Sequence, residues 1–313
     1  MKRLIITVLM LFFLVACTHK ELCYDHPHVT NVNVQFNWST TPEKMPSSMS
    51  VYFYKEDGSA PLRFEFTNPD GGKIRLTPGV YHAVCVNSDE RSHQVQNGHD
   101  FNDFYLTTKD AASMSGLATF GVSLQNLPKA KDSEEERIVA EPVNVWHSNA
   151  RDIVVEEQGE QSLSLYVQPE VVTYNVEIKN ASNLKWVYGV SGTISGMSGG
   201  VHPGKGTLSE EKVTIPFEAR MNKADGMVTA SFTTFGHCPV DENSHYLKIY
   251  AVLADNSWWD FTYDVSDLIH DAADSDVITI ELEELPIPKP VANGGGFKPT
   301  VGEWNSVEIE LKM

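Results

Sequence analysis

Polar and apolar residues alternate along most of this chain. Residues 31–38 read NVNVQFNW, with Val32, Val34, Phe36 and Trp38 on one face and asparagines and Gln35 on the other. A period of two sends alternate side chains to opposite faces, so this stretch predicts a half-buried strand. Residues 50–55 (SVYFYK), 62–67 (LRFEFT), 73–76 and 81–87 (YHAVCVN) predict further strands. Glu56-Asp57-Gly58-Ser59 and Asn68-Pro69-Asp70-Gly71-Gly72 supply turns, because proline presets φ and glycine accepts positive φ. Residues 151–155 and 162–167 alternate again. A second series opens at 174–179 (YNVEIK) and continues through 185–194, 212–218, 226–235, 246–253, 257–265, 277–282 and 306–313. No stretch holds a 3.6-residue period over a dozen positions; at most a helical turn is expected at 109–114 and another at 266–274. Short strands at roughly 8–12-residue spacing with turn residues between them predict an all-β chain of sandwich type. Two series, each opened by an alternating strand, predict two sandwiches, at 29–168 and 169–313.

Between the strands, 93–103 is expected as a polar loop and 197–206 (MSGGVHPGKG) as a glycine-rich loop. Segment 115–122 fits neither period. The charge run 129–137 (KAKDSEEER) is expected as a solvated hairpin tip.

Composition narrows the function classes. The 313 residues are 41% hydrophobic and 10% aromatic, enough to build cores. The formal charge of −18 excludes the basic footprint of a nucleic-acid binder. It also gives the body no attraction to an anionic lipid surface.

The amino terminus alters this picture. Lys2 and Arg3 precede an apolar run from Leu4 to Val15, and the run ends Leu14-Val15-Ala16-Cys17. A basic start, a short apolar core and a small residue before the cut describe a secretion signal at 1–16. The LVAC ending resembles the lipobox of bacterial lipoproteins, which implies cleavage before Cys17 and acylation of that residue. Residues 17–28 then read as a lipidated tether. Cys23, Cys85 and Cys238 remain, without C-x-x-C spacing, so neither a zinc nor a thioredoxin pattern is formed. One disulfide among them and buried free thiols are equally open readings.

Candidate chemistry is sparse. His26 and His28 flank a proline in the tether and make a poor metal pair. His93, His99, Asp100 and Asp103 do not match a calcium loop. Asp271, Asp274 and Asp276 read as a solvated acid group. No phosphate-binding glycine loop and no G-x-S-x-G nucleophile elbow occurs. No cofactor, metal site or catalytic residue is therefore expected. The adjacent Trp258 and Trp259 must face opposite ways on a strand, so one is a candidate exposed aromatic for stacking on a sugar ring or a partner.

Three short motifs carry a family resemblance. Leu76-Thr77-Pro78-Gly79-Val80-Tyr81 resembles the L-x-x-G-x-Y hairpin of transthyretin-like sandwiches. Gly189-Val190-Ser191-Gly192 with Ile194-Ser195-Gly196-Met197 resembles a V-x-L-S-G-L region. Gly294 to Phe297, Val301 and Trp304 resemble a closing GGF-x-V-x-V-x-x-W segment. With the lipobox, these resemble the fimbrillin-type lipoproteins of Bacteroidales, especially major-fimbrium anchor and accessory subunits. The resemblance implies two tandem transthyretin-like (Greek-key) sandwiches and a non-enzymatic role in a fimbria-like adhesive filament. It implies other fimbrillin-like subunits as partners and a place at the outer membrane, held by lipid on Cys17. Lys20 and Glu21 partly resemble the surface-export signal of such proteins. The mechanism implied is strand complementation, for which residues 306–313 are the candidate donor: Val307, Ile309, Leu311 and Met313 face one way. The other reading is a glycan- or protein-binding lipoprotein of a polysaccharide-uptake system.

Overall fold

A computed structural model describes residues 29–39, 45–89, 92–240, 244–290 and 303–311. The expected tether, with Cys17, Cys23, His26 and His28, and the candidate donor residue Met313 lie outside these. The described chain is almost entirely β, as the alternation predicts.

The first sandwich faces a three-stranded sheet against a five-stranded one. The smaller sheet orders β10 (Glu160–Tyr166), β1 (Thr30–Asn37) and β4 (Gly71–Leu76). The larger orders β11 (Gln168–Pro169), β9 (Trp146–Val155), β5 (Gly79–Asn87), β2 (Met49–Lys55) and β3 (Leu62–Phe66). Val32, Val34 and Phe36 of β1 meet Val51 and Phe53 of β2 and Tyr81, Ala83 and Cys85 of β5 in one core. Each fully buried side chain of this kind contributes about 1.5–3 kcal/mol. The L-x-x-G-x-Y motif is a corner rather than a hairpin: Leu76 ends β4 in one sheet and Gly79 starts β5 in the other. The Tyr81 hydroxyl fastens that corner by donating to the Thr77 carbonyl at 2.8 Å.

The second sandwich repeats the plan. A four-stranded sheet orders β17 (Arg220–Asn222), β18 (Met227–Thr234), β12 (Val172–Ile178) and β21 (Val277–Leu282). It faces six strands: β22 (Trp304–Ile309), β20 (Trp258–Asp264), β19 (Tyr246–Leu253), β13 (Val187–Ser198), β16 (Lys212–Glu218) and β8 (Arg137–Ile138). In each half the opening strand pairs in parallel with a late one, β1 with β10 and β12 with β21. The core between the sheets includes Tyr174, Val176 and Ile178 of β12 and Leu247 and Ile249 of β19.

Two segments depart from the expected layout. His93 to Gln96 forms β6, and Tyr105 to Thr108 forms β7. These join β14 (Gly200–His202) and β15 (Thr207–Leu208) in a four-stranded sheet ordered β15-β14-β7-β6. The expected loops at 93–103 and 197–206 thus each supply strand to a sheet built from both halves of the chain. The second departure is residues 110–138. They cross to the second sandwich and cover the outer face of its six-stranded sheet, with Met114, Leu117, Val122, Leu124 and Leu127 packed on Tyr250, Val252 and Trp258.

Candidate functional site

The cover and the strand beside it lie together on the six-stranded sheet of the second sandwich. A short helix, α1 (Ser115–Ala118), sits on β13. Glu218, ending β16, accepts from the backbone N–H of Ser115, from the Ser115 hydroxyl at 2.8 Å and from the Gly116 N–H at 3.0 Å. A carboxylate so placed satisfies donors that a helix start leaves unpaired. Leu117 is fully buried beneath it.

The charge run that follows is solvated only in part: Lys131, Asp132, Glu134 and Glu135 are exposed, but other members are not. Ser133 and Glu136 are buried. Glu136 accepts from the Thr214 hydroxyl at 2.7 Å and from the Gly196 N–H at 3.2 Å. Burial raises its pKa above the ordinary carboxylate value, against the pull of those hydrogen bonds. Lys129 donates to the carbonyls of Glu134 and Glu136, and Arg137 pairs with Asp110 and Glu211. Glu136 and Arg137 find their partners on other segments, at Thr214, Gly196, Asp110 and Glu211, and alternation cannot reveal that.

Both tryptophans offered as exposed aromatics are occupied. Trp259 faces inward and packs against the core. Trp258 faces outward, yet the cover buries it and Trp304 stands 5.4 Å from it. The outward face of a strand is solvated only if no third layer lies on it, and here one does. Among the described residues Trp186 and Tyr188 do reach solvent.

The candidate donor strand is seated on the chain's own sheet. β22 pairs in parallel with β20, from Trp258 opposite Trp304 to Tyr263 opposite Ile309. Val307, Ile309 and Leu311 turn toward the core, and Trp304 and Ser306 turn toward the cover. Trp304 donates from its indole to the Asn126 carbonyl at 3.1 Å, and the Ser306 hydroxyl donates to Asp260 at 2.6 Å. Asp260 is fully buried and pairs with Lys248 at 2.7 Å. β22 is the outermost strand of its sheet, so its far edge is unpaired by any described residue.

The other sequence candidates take structural roles. His93 is buried and bonds the Asn87 carbonyl, and Asp100 accepts from the N–H groups of Asn102 and Asp103 in a turn. Asp274 likewise closes a turn through the N–H of Asp276. Cys85 is a buried free thiol, and Cys238 is buried with its Sγ against the Ser209 and Glu210 carbonyls. Sequence reasoning passed over His237, His245 and His270, which converge in space from three elements. Among the described residues no helix is long and apolar enough to cross a membrane.

A family pattern described as "Domain of unknown function (DUF5119)" matches residues 16–218. The chain belongs to that family. A relative from Bacteroides ovatus, provisionally named fimbrium anchoring subunit Fim4B, is 25% identical over 226 residues. That match covers 72% of this chain and 62% of the relative, so the chain spans less than two thirds of the relative's length. The resemblance to fimbrial anchor proteins is borne out by it. Two solved structures share the fold. A provisionally named adhesin of Bacteroides ovatus has a TM-score of 0.62 at 21% identity, covering 87% of this chain and 98% of its own. The fimbrial anchor protein Mfa2 of Porphyromonas gingivalis has a TM-score of 0.51 at 11% identity, covering 82% and 90%.

Proposed function

We propose that this family member is a non-enzymatic surface lipoprotein that anchors or accompanies a fimbria-like filament. The observation that carries the reading is the likeness, over 226 residues, to a relative provisionally named as a fimbrium anchoring subunit. Two sandwiches, at 29–168 with the cover segment lent to its neighbour and at 169–313, form the body. Acylation of Cys17 ties it to the outer membrane. The family match opens at Ala16, beside the expected cut, which supports that tether.

The filament contact is strand complementation at the β22 edge. An unpaired strand edge presents a row of backbone donors and acceptors to an incoming strand. β22 lies at such an edge and carries the alternation of a donor, and its side-chain hydrogen bonds come from its first three residues, Trp304, Asn305 and Ser306. Exchange of this strand with a neighbouring fimbrillin-like subunit would join the two without new chemistry.

The test is a chain lacking residues 305–313. It should remain a folded monomer by circular dichroism and lose co-purification with the filament subunits of its host. Cys17→Ser, in parallel, should move the chain from the membrane fraction to the soluble one. Undiminished co-purification of the truncated chain rules out the β22 contact, and membrane retention of Cys17→Ser rules out the tether.

A further inference from the structure

Three histidines meet at one end of the second sandwich. His237 follows β18 and forms a backbone bridge with Met197. His245 is buried and immediately precedes β19. His270 is exposed and closes a second helix, α2 (Ser266–His270). Fixed backbone brings the last two together. The His245 N–H donates to the Ser266 hydroxyl at 2.9 Å, and the His245 carbonyl accepts from the Val265 N–H at 2.9 Å. Ile269 is buried in the core and holds α2 in place.

Nε2 of His245 lies 3.1 Å from Nε2 of His270. The His237 ring stands 5.7 Å from that of His245 and 5.3 Å from that of His270, centroid to centroid. One ring nitrogen from each of the three lies within 4.8 Å of the others.

The tautomer of His245 is set from behind. Its Nδ1 is 3.3 Å from the Ser195 carbonyl, which can only accept, so Nδ1 carries the hydrogen and Nε2 a lone pair. Donation from the rear nitrogen to a carbonyl is how proteins orient histidine ligands.

A hydrogen bond between His245 and His270 would need two rings and leave the third without a purpose. A cation uses all three. Calcium and magnesium prefer oxygen ligands, and this set has none. Imidazole nitrogen suits zinc, copper and nickel. Around a tetrahedral zinc with bonds of about 2.0–2.1 Å, ligand nitrogens stand about 3.3 Å apart, close to the separation of His245 and His270.

We propose that His237, His245 and His270 bind one zinc ion, with water completing a tetrahedron. Such an ion clips the exit of β18, the entry of β19 and α2 together. Its place within the second sandwich is independent of the filament contact proposed above.

The experiment uses the full chain carrying His19→Ala, Cys23→Ala, His26→Ala and His28→Ala, so that the tether's histidines and Cys23 add no ligands, and measures zinc binding calorimetrically together with Tm. One equivalent should bind and raise Tm, and calcium or magnesium should do neither. Cobalt should give the intense visible bands of a tetrahedral site. His270→Ala, an exposed position with an expected metal-free Tm close to the parent's, should lose the stoichiometric binding, the Tm shift and the bands. His237→Ala provides the second variant should the first fold poorly. Absence of zinc binding, or binding that survives in either folded variant, overturns the proposal.

Discussion

Glu136 illustrates how burial reverses the meaning of a charged residue. It lies in the most charged stretch of the chain, yet it faces Thr214 and Gly196 away from water. Burial raises its pKa, so the folded chain holds the proton more tightly than the unfolded chain. A raised acid favours folding most below its ordinary value of 4.5, and that contribution is lost as pH rises through the folded value. Glu136→Gln cannot titrate. The Tm of the wild type, relative to this variant, should therefore increase between pH 7 and pH 4, as thermal melts followed by circular dichroism would show. A constant difference would mean that Glu136 is solvated in the folded chain. The same reasoning explains the tryptophans. Alternation assigns Trp258 and Trp259 to opposite faces correctly, but whether a face meets water depends on residues more than a hundred positions away.

At the scale of elements, legibility follows how local the cause is. β1 and β12 are readable because each lies between a core and a wetter face, a contrast written every other residue, whereas β2, β19 and β20 are readable as apolar, β-branched and aromatic runs buried on both faces. The cover is not readable. Its buried residues, Met114, Leu117, Val122, Leu124 and Leu127, follow neither a period of two nor one of 3.6, because their spacing answers to the sheet they rest on. The histidine set is invisible for a related reason: its members are far apart in sequence and meet only through the register of β13, β19 and α2. The cover's docking has a sharp steric condition at Gly189 on β13. A Cβ there would lie 2.5 Å from the Gly116 carbonyl oxygen and 2.7 Å from the Phe120 ring. Gly189→Val must push α1 off the sheet. It should cost about 1–3 kcal/mol in urea unfolding and speed limited proteolysis between 119 and 135, while a histidine-bound zinc, lying elsewhere on the sandwich, should still bind. Unchanged cleavage would show that the cover is held by contacts other than this approach.

At the scale of the whole molecule, the sheet β15-β14-β7-β6 decides whether two sandwiches behave as two bodies. It takes β6 and β7 from the first half of the chain and β14 and β15 from the second. It buries Phe104, Leu106 and Val201 against Tyr54, Val84 and Val86 on the back of β2 and β5. Further ties run the same way: Asn149 donates to the Pro203 carbonyl at 2.8 Å, and Arg151 donates to the Gly204 carbonyl. Tandem sandwiches joined by a flexible linker would unfold separately. Here the connection is a sheet, and under the tether and β22 contact proposed above a pull would pass between the halves through its paired strands. The pairing of β7 with β14 rests on Gly200 opposite Thr107 and Val201 opposite Leu106. A Cβ on Gly200 would stand 2.3 Å from the Leu106 carbonyl oxygen and 2.6 Å from the Tyr105 ring. Gly200→Val should therefore part these strands while leaving the cores within each sandwich intact. Differential scanning calorimetry should record one cooperative transition for the parent chain and two for the variant, with a loss of about 1–3 kcal/mol in the first to melt. Two transitions in the parent would show that the shared sheet does not couple the halves, and a single transition in both would show that the coupling does not depend on the β7–β14 pairing.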